Sequence, residues 1–219
     1  MRLSKRICAS AAVMMLFAGA ASAGVPAAQV ERLGADLTPM GAEKAGNADG
    51  SIPAWEGGLS SVPKNVSWMP GSGHYNDPFA DDRAIATVTH ENAEAHEAFL
   101  TPGQRAMLAT YPSYKMNVYP SRRSCALPED VYAAVKQNAV TGSLGGSGDT
   151  LTGVLRGIPF PIPSSANEIV WNHNLRYRGY KVSRTFVSAA PTRDGTFTPI
   201  KVQDDLVFDY SSPGISSIN

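Results

Sequence analysis

Cysteine is almost absent from this chain. Only Cys8 and Cys125 occur in 219 residues, and Cys8 lies inside an apolar run at the N-terminus. A single cysteine in the remainder excludes an internal disulfide there, and the four histidines form no compact Cys/His signature. We therefore expect no disulfide framework and no metal site. We interpret Cys125 as an isolated, partly buried side chain rather than a reactive thiol.

An excess of positive charge and the common catalytic motifs are also missing. Charged residues make up 17% of the chain, with 19 basic against 19 acidic side chains, which is a poor basis for binding nucleic acid. No Gly-x-Ser-x-Gly motif occurs, and the glycine-rich stretch 142–148 lacks the Lys-Ser/Thr ending of a phosphate-binding loop. His90 and His96 are spaced to lie on different faces of a helix. The sequence therefore predicts a protein that is not an enzyme and uses no cofactor.

The N-terminus has the pattern of a secretory signal peptide. Three basic residues within the first six positions precede an apolar stretch at 7–20, and Ala21-Ser22-Ala23 satisfies the small-residue rule for cleavage. The apolar stretch is shorter than a membrane-spanning helix requires. We expect residues 1–23 to be removed after Ala23 and the mature protein to lie in the periplasm.

Residues 24–80, here called the N-terminal arm, are rich in glycine, proline, asparagine and serine after a short predicted helix at 27–33. An irregular segment of this length is unusual in a compact domain. Trp55 and Trp68 favour an ordered segment, because disordered chains are usually poor in aromatic residues. We therefore predict that the arm lies across the surface of a body formed by residues 81–219.

The body begins with helical patterns. Thr101-Pro102-Gly103-Gln104 combines an N-cap threonine, a proline at the first helical position and a capping-box glutamine. Apolar spacing predicts further helices at 90–100, with Thr89 as N-cap, and at 128–139. Strands are predicted at 114–119 and 151–155, with a loop at 142–148.

The stretch 157–180 joins these helices to later strands. Its first part, Gly157-Ile-Pro-Phe-Pro-Ile-Pro163, is called the proline segment. This segment cannot be helical, because each proline lacks an N–H and biases the preceding residue toward extended geometry. Ser165 and Glu168 have the capping-box spacing that predicts a new helix, which Gly179 is placed to end. The polar and aromatic cluster at 171–178 fits either a structural face packed on a sheet or the rim of a ligand cleft.

Two long strands are predicted at 180–190 and 197–210, joined by an Asp194-Gly195 turn. The sequence therefore predicts an α+β fold whose helices come early and whose β-hairpins come late. A sheet that stops after one hairpin leaves an open edge, which natural proteins avoid. We expect the body to be cut short at its C-terminal end.

Three long motifs resemble an uncharacterised family of proteobacterial periplasmic proteins known only as a domain of unknown function. They are the segments 37–58 and 119–123, and the proline segment followed by Trp171-Asn-His173 and 175–179. The resemblance implies a fold similar to that of the outer-membrane lipoprotein-sorting proteins. In that fold, helices close an apolar groove on a strongly curved antiparallel sheet, or half-barrel. Members of the family are longer than this chain, so the resemblance implies an incomplete half-barrel here.

The resemblance also implies a role in handling lipids. Genes of the family lie beside exporters of the resistance–nodulation–division type and beside outer-membrane proteins linked to lipids. We therefore expect a non-enzymatic carrier or chaperone that binds a lipid or a lipidated protein in an apolar groove, with an exporter or outer-membrane protein as partner. The residues that we expect to line the groove are Ile158, Phe160, Ile162, Trp171, Phe186, Leu206 and Phe208.

A structural or assembly factor is the alternative. Such a protein would pair its open sheet edge with strands of an outer-membrane or exporter partner. Gln203, Asp204 and Asp205 interrupt the apolar run of the last strand, which favours a guarded edge over a donated one.

Overall fold

Helices and antiparallel strands are both present, as the sequence predicts. The computed structural model describes residues 24–67, 69 and 76–215. Helices α1 to α4 span Ala27–Val30, Pro102–Thr110, Glu129–Thr141 and Ala166–Asn174, and 3-10 helices span Ala93–Phe99 and Asp209–Ser211. Strands β1 to β6 span Ala86–Thr89, Lys115–Val118, Ser143–Gly145, Thr150–Thr152, Lys181–Pro191 and Phe197–Val207.

The strands of the described ranges form three separate antiparallel pairs, β1–β2, β3–β4 and β5–β6. The pair β5–β6 is the longest, with 11 residues in each strand and a register that runs from Lys181 opposite Val207 to Pro191 opposite Phe197. At about 3.3 Å per residue, each of these strands extends roughly 35 Å. The α+β class is confirmed, and the half-barrel stays a prediction.

Local capping patterns set the starts of two helices. Gln104 N donates to Thr101 Oγ1 at 3.3 Å and Thr101 N donates to Gln104 Oε1 at 2.9 Å, so the predicted capping box starts α2. Ser165 Oγ likewise accepts from Glu168 N at 3.3 Å and starts α4. That helix ends at Asn174, before the predicted stop at Gly179.

The predicted helix at 90–100 is wrong in type and in its cap. The structure has a 3-10 helix at Ala93–Phe99 with Asn92, rather than Thr89, at its N-cap position. The Asn92 side chain accepts from Thr89 N at 2.7 Å and donates to Thr87 O at 2.9 Å. An asparagine side chain that bonds nearby backbone competes with regular helix, which explains the change. The predicted loop at 142–148 likewise contains β3, paired with β4.

The core of the described residues includes two small apolar clusters, besides buried residues such as Val131 and Val135 of α3. One joins Val30 and Leu33 to Ala139 of α3, and the other joins Leu151, Val154 and Phe160. Gly157 permits close packing of the proline segment on α3, because a Cβ there would lie 2.7 Å from Val135 Cγ2. Its φ of +93° also favours glycine. Within the part of the chain that the structure describes, none of the helices combines the length and hydrophobicity of a membrane span.

Arg123 binds the N-terminal arm to the body. Its guanidinium donates to four backbone carbonyls of the arm, those of Glu43 at 2.6 Å, Lys44 at 3.1 Å, Ala45 at 3.2 Å and Pro53 at 3.4 Å. Irregular backbone forms no helix or sheet hydrogen bonds. Without Arg123, most of these carbonyls would therefore have only water as a hydrogen-bond donor.

Trp55 adds a second connection between arm and body. Its Nε1 donates to Cys125 O at 3.0 Å, and Leu59 N donates to Ser124 O at 2.8 Å nearby. The expectation that Cys125 is partly buried is wrong, since its side chain is exposed while its carbonyl bonds the arm. Trp68, also predicted to hold the arm, lies outside the described residues.

Replacing Arg123 with alanine should release the N-terminal arm. A hydrogen bond from a charged donor contributes about 1.5–3 kcal/mol, and three of these four bonds are solvent-exposed, so the free energy of unfolding should fall by about 2–3 kcal/mol in all. Limited proteolysis should then cut within residues 43–59. Arg105→Ala is the control, because this guanidinium pairs with Glu97 where both side chains are exposed and makes no bond to the arm, so its loss should change stability little. Equal effects of the two substitutions would contradict the role given to Arg123.

Candidate functional site

The hairpin β5–β6 has one apolar and one polar face. Residues directly opposite each other in an antiparallel pair share a face, and faces alternate along each strand. The apolar face holds Val182 opposite Leu206, Phe186 opposite Val202, and Ile200 opposite Ser188. The opposite face, called the polar face, holds Lys181, Ser183, Thr185, Lys201, Gln203 and Asp205 with Val187 and Val207, and it becomes apolar toward the turn at Ala189, Pro191, Phe197 and Pro199. This alternation is typical of a sheet with one face on a core.

No second layer covers the apolar face within residues 24–67, 69 and 76–215. The extensive contacts of the hairpin are those between its own two strands. Phe186 keeps 40% of its surface exposed and Ile200 keeps 60%. Sheets normally bury an apolar face against another layer, and exposed apolar patches often mark binding surfaces. The apolar face is therefore the candidate functional site.

An ion pair crosses the middle of the apolar face. Arg184 lies opposite Asp204, and its Nε and Nη2 donate to the two carboxylate oxygens at 2.7 Å each. The hydrogen bond from Arg184 lowers the pKa of Asp204. The guanidinium also lies over the Phe186 ring, 5.1 Å from its centroid. The acidic residue that interrupts the apolar run in the sequence is thus neutralised by a cross-strand partner.

The turn of the hairpin is closed by Asp194. Its carboxylate accepts hydrogen bonds from the Thr192 hydroxyl, from Thr196 N at 3.1 Å and from Thr196 Oγ1 at 2.9 Å. These bonds, with that from Thr192 the strongest, lower the pKa of Asp194 to about 2. The carboxylate that holds the turn is therefore ionised at neutral pH, and the tip keeps the two strands in register.

An aromatic cluster lies at the base of the apolar face. Phe208 N donates to Tyr180 O at 2.8 Å, which continues the strand register past β6. The Arg178 guanidinium lies 4.1 Å from the centroid of the Phe208 ring and donates to the Tyr210 hydroxyl at 3.0 Å. Leu206 and Phe208 are half-buried in consequence. Three predicted groove residues, Phe186, Leu206 and Phe208, therefore share one surface.

The other predicted groove residues lie in the body. Phe160 is 9% exposed and packs with the Leu151 cluster, and Trp171 packs against the same cluster. Ile162 packs on the other cluster, and Ile158 is half-buried beside α3. The structure thus brings together Phe160 and Trp171 in one place and the three hairpin residues in another.

Side-chain amides hold the backbone of the proline segment. Phe160 N donates to Asn172 Oδ1 at 2.8 Å, and Asn172 Nδ2 donates to Phe160 O at 2.6 Å. Asn138 of α3 donates to Leu155 O and Ile158 O at 3.1 Å each and accepts from Leu155 N at 2.6 Å. No spacing pattern in the sequence singles out Asn138, although a polar residue among the buried valines of α3 is a signal of such a role.

A cavity of about 320 Å³ adjoins the proline segment. Its lining includes Val25, Phe160, Ile162 and the buried Glu168. This volume is at the lower end of the range for small-molecule sites. No group of three or more His, Cys, Asp and Glu side chains in the described ranges is arranged to hold a metal ion.

Asn138→Leu should destabilise the fold strongly. The substitution keeps the side-chain size but leaves two buried carbonyls and one N–H without partners, at about 1–3 kcal/mol for each group. We expect urea unfolding to show a loss of about 3–4 kcal/mol. Gln137→Leu, at the exposed neighbouring position of α3, is the control and should change stability little. A loss no larger for Asn138→Leu than for the control would contradict this account.

Comparison with known proteins places the chain among relatives of unknown function. The model of a family described as "Protein of unknown function (DUF1329)" matches residues 87–218. An uncharacterised protein of Pseudomonas aeruginosa is 41% identical over 196 residues, a match that covers 89% of this chain and 42% of the relative. The chain thus spans less than half the length of that curated relative. No solved structure matches the chain significantly.

Proposed function

We propose that this chain, which belongs to the DUF1329 family of proteins of unknown function, is a periplasmic, non-enzymatic carrier or chaperone. Its ligand is a lipid or the acyl group of a lipidated protein, held on the apolar face of β5–β6. The observation that carries the proposal is that this face is long, regular and exposed. The signal-peptide pattern at 1–23 supports export to the periplasm.

Burial of apolar surface supplies the binding energy in this proposal. An acyl chain that lies along the face contacts side chains two residues apart, such as Ile200 and Val202, and then Phe186 across the pair. Removal of apolar surface from water contributes about 25 cal/mol per Å². The Arg184–Asp204 pair interrupts the stripe between Leu206 and Phe186 and supplies a polar point for a head group or ester. Binding of this kind needs no cofactor.

The proposed ligand surface is centred on the hairpin rather than on the proline segment. Phe160 belongs to a core cluster, so its removal would create a cavity and destabilise the fold. Phe186, Leu206 and Phe208 keep their proposed role as ligand residues. We further propose that the apolar face is the inner face of an incomplete half-barrel. An exporter of the resistance–nodulation–division type or an outer-membrane protein is the proposed partner for ligand transfer.

Phe186→Ser should weaken lipid binding without unfolding the protein. Burial of a phenylalanine contributes about 1.5–3 kcal/mol, so the dissociation constant of a fluorescent 16-carbon fatty acid should rise about tenfold or more. Val187→Ser is the matched control, because Val187 is the next residue, is 60% exposed and lies on the polar face. It should leave the constant unchanged. A titration in which both variants bind like the unsubstituted protein, or lose binding equally, would contradict the proposal.

The alternative function, strand pairing with a partner, is favoured by a difference between the two edges of the hairpin. Thr192 N donates to Thr196 O and Phe208 N donates to Tyr180 O, both at 2.8 Å, at the two ends of the ladder. Hydrogen-bonded and non-hydrogen-bonded pairs alternate in an antiparallel ladder. The odd-numbered residues of β5 and β6 therefore direct their N–H and C=O groups outward.

The outward positions of β6 are guarded along its length, whereas those of β5 are guarded only at its two ends, by Lys181 and Pro191. On β6 they include Pro199, which has no N–H, and the charged Lys201 and Asp205. On β5 four successive outward positions are uncharged, namely Ser183, Thr185, Val187 and Ala189. Proline and charge are the usual protections of an edge. The β5 edge is therefore the one on which a partner strand would pair.

Proline substitutions at opposite positions test this alternative. Thr185 and Gln203 face each other in the register, and proline at either removes one outward N–H without removing a bond between β5 and β6. An edge open to a partner also pairs with a second copy at high concentration. Sedimentation velocity should then show self-association that Thr185→Pro suppresses and Gln203→Pro does not. A chain that is monomeric at its highest soluble concentration, or equal effects of both prolines, would contradict the alternative.

A further inference from the structure

Gly24, the first residue after the predicted cleavage position, lies against the end of α3. Val25 N donates to Ala139 O at 2.9 Å. A Cβ on Gly24 would lie 2.2 Å from Val140 O and 2.6 Å from Ala139 O, so a larger residue does not fit without movement of backbone. The start of the mature chain is thus packed directly on the C-terminal carbonyls of a helix.

The C-terminal end of α3 lacks a cation of its own. Its first turn carries Glu129 and Asp130, which suit the positive end of the helix dipole, but its last turn contains no basic residue. Asn138 O accepts from Gly142 N at 2.8 Å, and Ala139 O is taken by Val25. Val140 O is the next carbonyl, and it is the oxygen closest to the Cβ position of Gly24. A positive charge at Gly24 would meet the negative end of the dipole.

Gly24 also lines the cavity beside the proline segment, together with Glu168. Glu168 is 5% exposed and accepts from Ser164 N at 2.5 Å and from Ser164 Oγ at 3.0 Å. Among the residues that the structure describes, the others that line this cavity carry no ionisable side chain. Nearby on α3, Lys136 pairs with Glu31 at 3.5 Å. The cavity is therefore bordered by one carboxylate and one helix C-terminus, and both favour a cation.

We propose that cleavage between Ala23 and Gly24 creates this cation and completes the packing of α3. Hydrolysis of the peptide bond consumes one water, leaves a carboxylate on Ala23 and leaves an amine on Gly24, which takes up a proton. The resulting ammonium lies at the carbonyl end of α3, beside the cavity that Glu168 lines. This inference rests on the export step of the proposed function, but it requires no bound lipid.

The stabilisation by the ammonium depends on pH in a defined direction. A free α-amino group has a pKa of about 7.7–8.0. The helix terminus and Glu168 favour the charged form, so the pKa of the Gly24 amine rises on folding. A group whose pKa is raised by folding contributes its full stabilisation below its unfolded value, and the contribution is lost as pH rises through the folded value. The effect should be present at pH 6 and absent well above pH 8.

Calorimetric melting of three chains tests the proposal. They are the chain that begins at Gly24, the same chain with an acetylated N-terminus, and a chain that retains residues 21–23. At pH 6 the first should melt about 2–4 °C above the other two, and the difference should close at pH 9.5. Equal melting of all three chains at pH 6 would overturn the proposal, as would a difference that persists unchanged at pH 9.5.

A rescue variant separates charge from simple crowding at the N-terminus. Val140 is 56% exposed, so Val140→Lys can place a side-chain cation in the last turn of α3 without disturbing the core. In the chain that retains residues 21–23 it should restore most of the lost melting temperature, whereas Val140→Gln should not. Equal behaviour of lysine and glutamine would overturn the electrostatic role. Because no lipid is present in these melts, their outcome is independent of the fatty-acid titration.

Discussion

This structure depends on side chains that hydrogen-bond backbone groups outside the helices and strands. The prolines at 159, 161 and 163 and the irregular N-terminal arm leave N–H and C=O groups without a ladder. A few side chains take the place of that ladder: Arg123 for the arm, and Asn138 and Asn172 for the proline segment. Since an unpaired buried polar group is costly, these contacts decide where the irregular segments lie, and two small apolar clusters fill the space between them.

The hairpin β5–β6 differs from the rest of the body in how its backbone is hydrogen-bonded and in how its apolar side chains are packed. Its backbone is satisfied by its own ladder, its turn is closed by Asp194, and one charged pair is neutralised across the strands. What it lacks, among the described residues, is a layer over its apolar face. In the rest of the body, side chains thus satisfy irregular backbone, whereas the hairpin is regular and exposed. The proposed function follows from this contrast, because binding requires surface that folding has not used.

Sequence patterns predict the local features of this protein and miss the long-range ones. The caps at Thr101 and Ser165 are predicted because both partners lie within three residues, and the faces of β5 and β6 follow from alternation. The partners of Asn138 lie 17 and 20 residues away, and those of Arg123 lie 70 to 80 residues away, where no spacing rule applies. Phe160 packs in a core cluster and also lines the cavity beside the proline segment, and apolar content alone does not separate these two roles.

Native mass spectrometry of the mature chain purified from the periplasm tests most directly whether the apolar face holds a lipid-like ligand. The account predicts a non-covalent adduct with the mass of an acyl lipid, which is released on collisional activation and disappears after delipidation. A spectrum that contains only the unliganded mass would contradict it. A complex with a protein partner and no lipid would also contradict it, and would instead support strand pairing at the β5 edge.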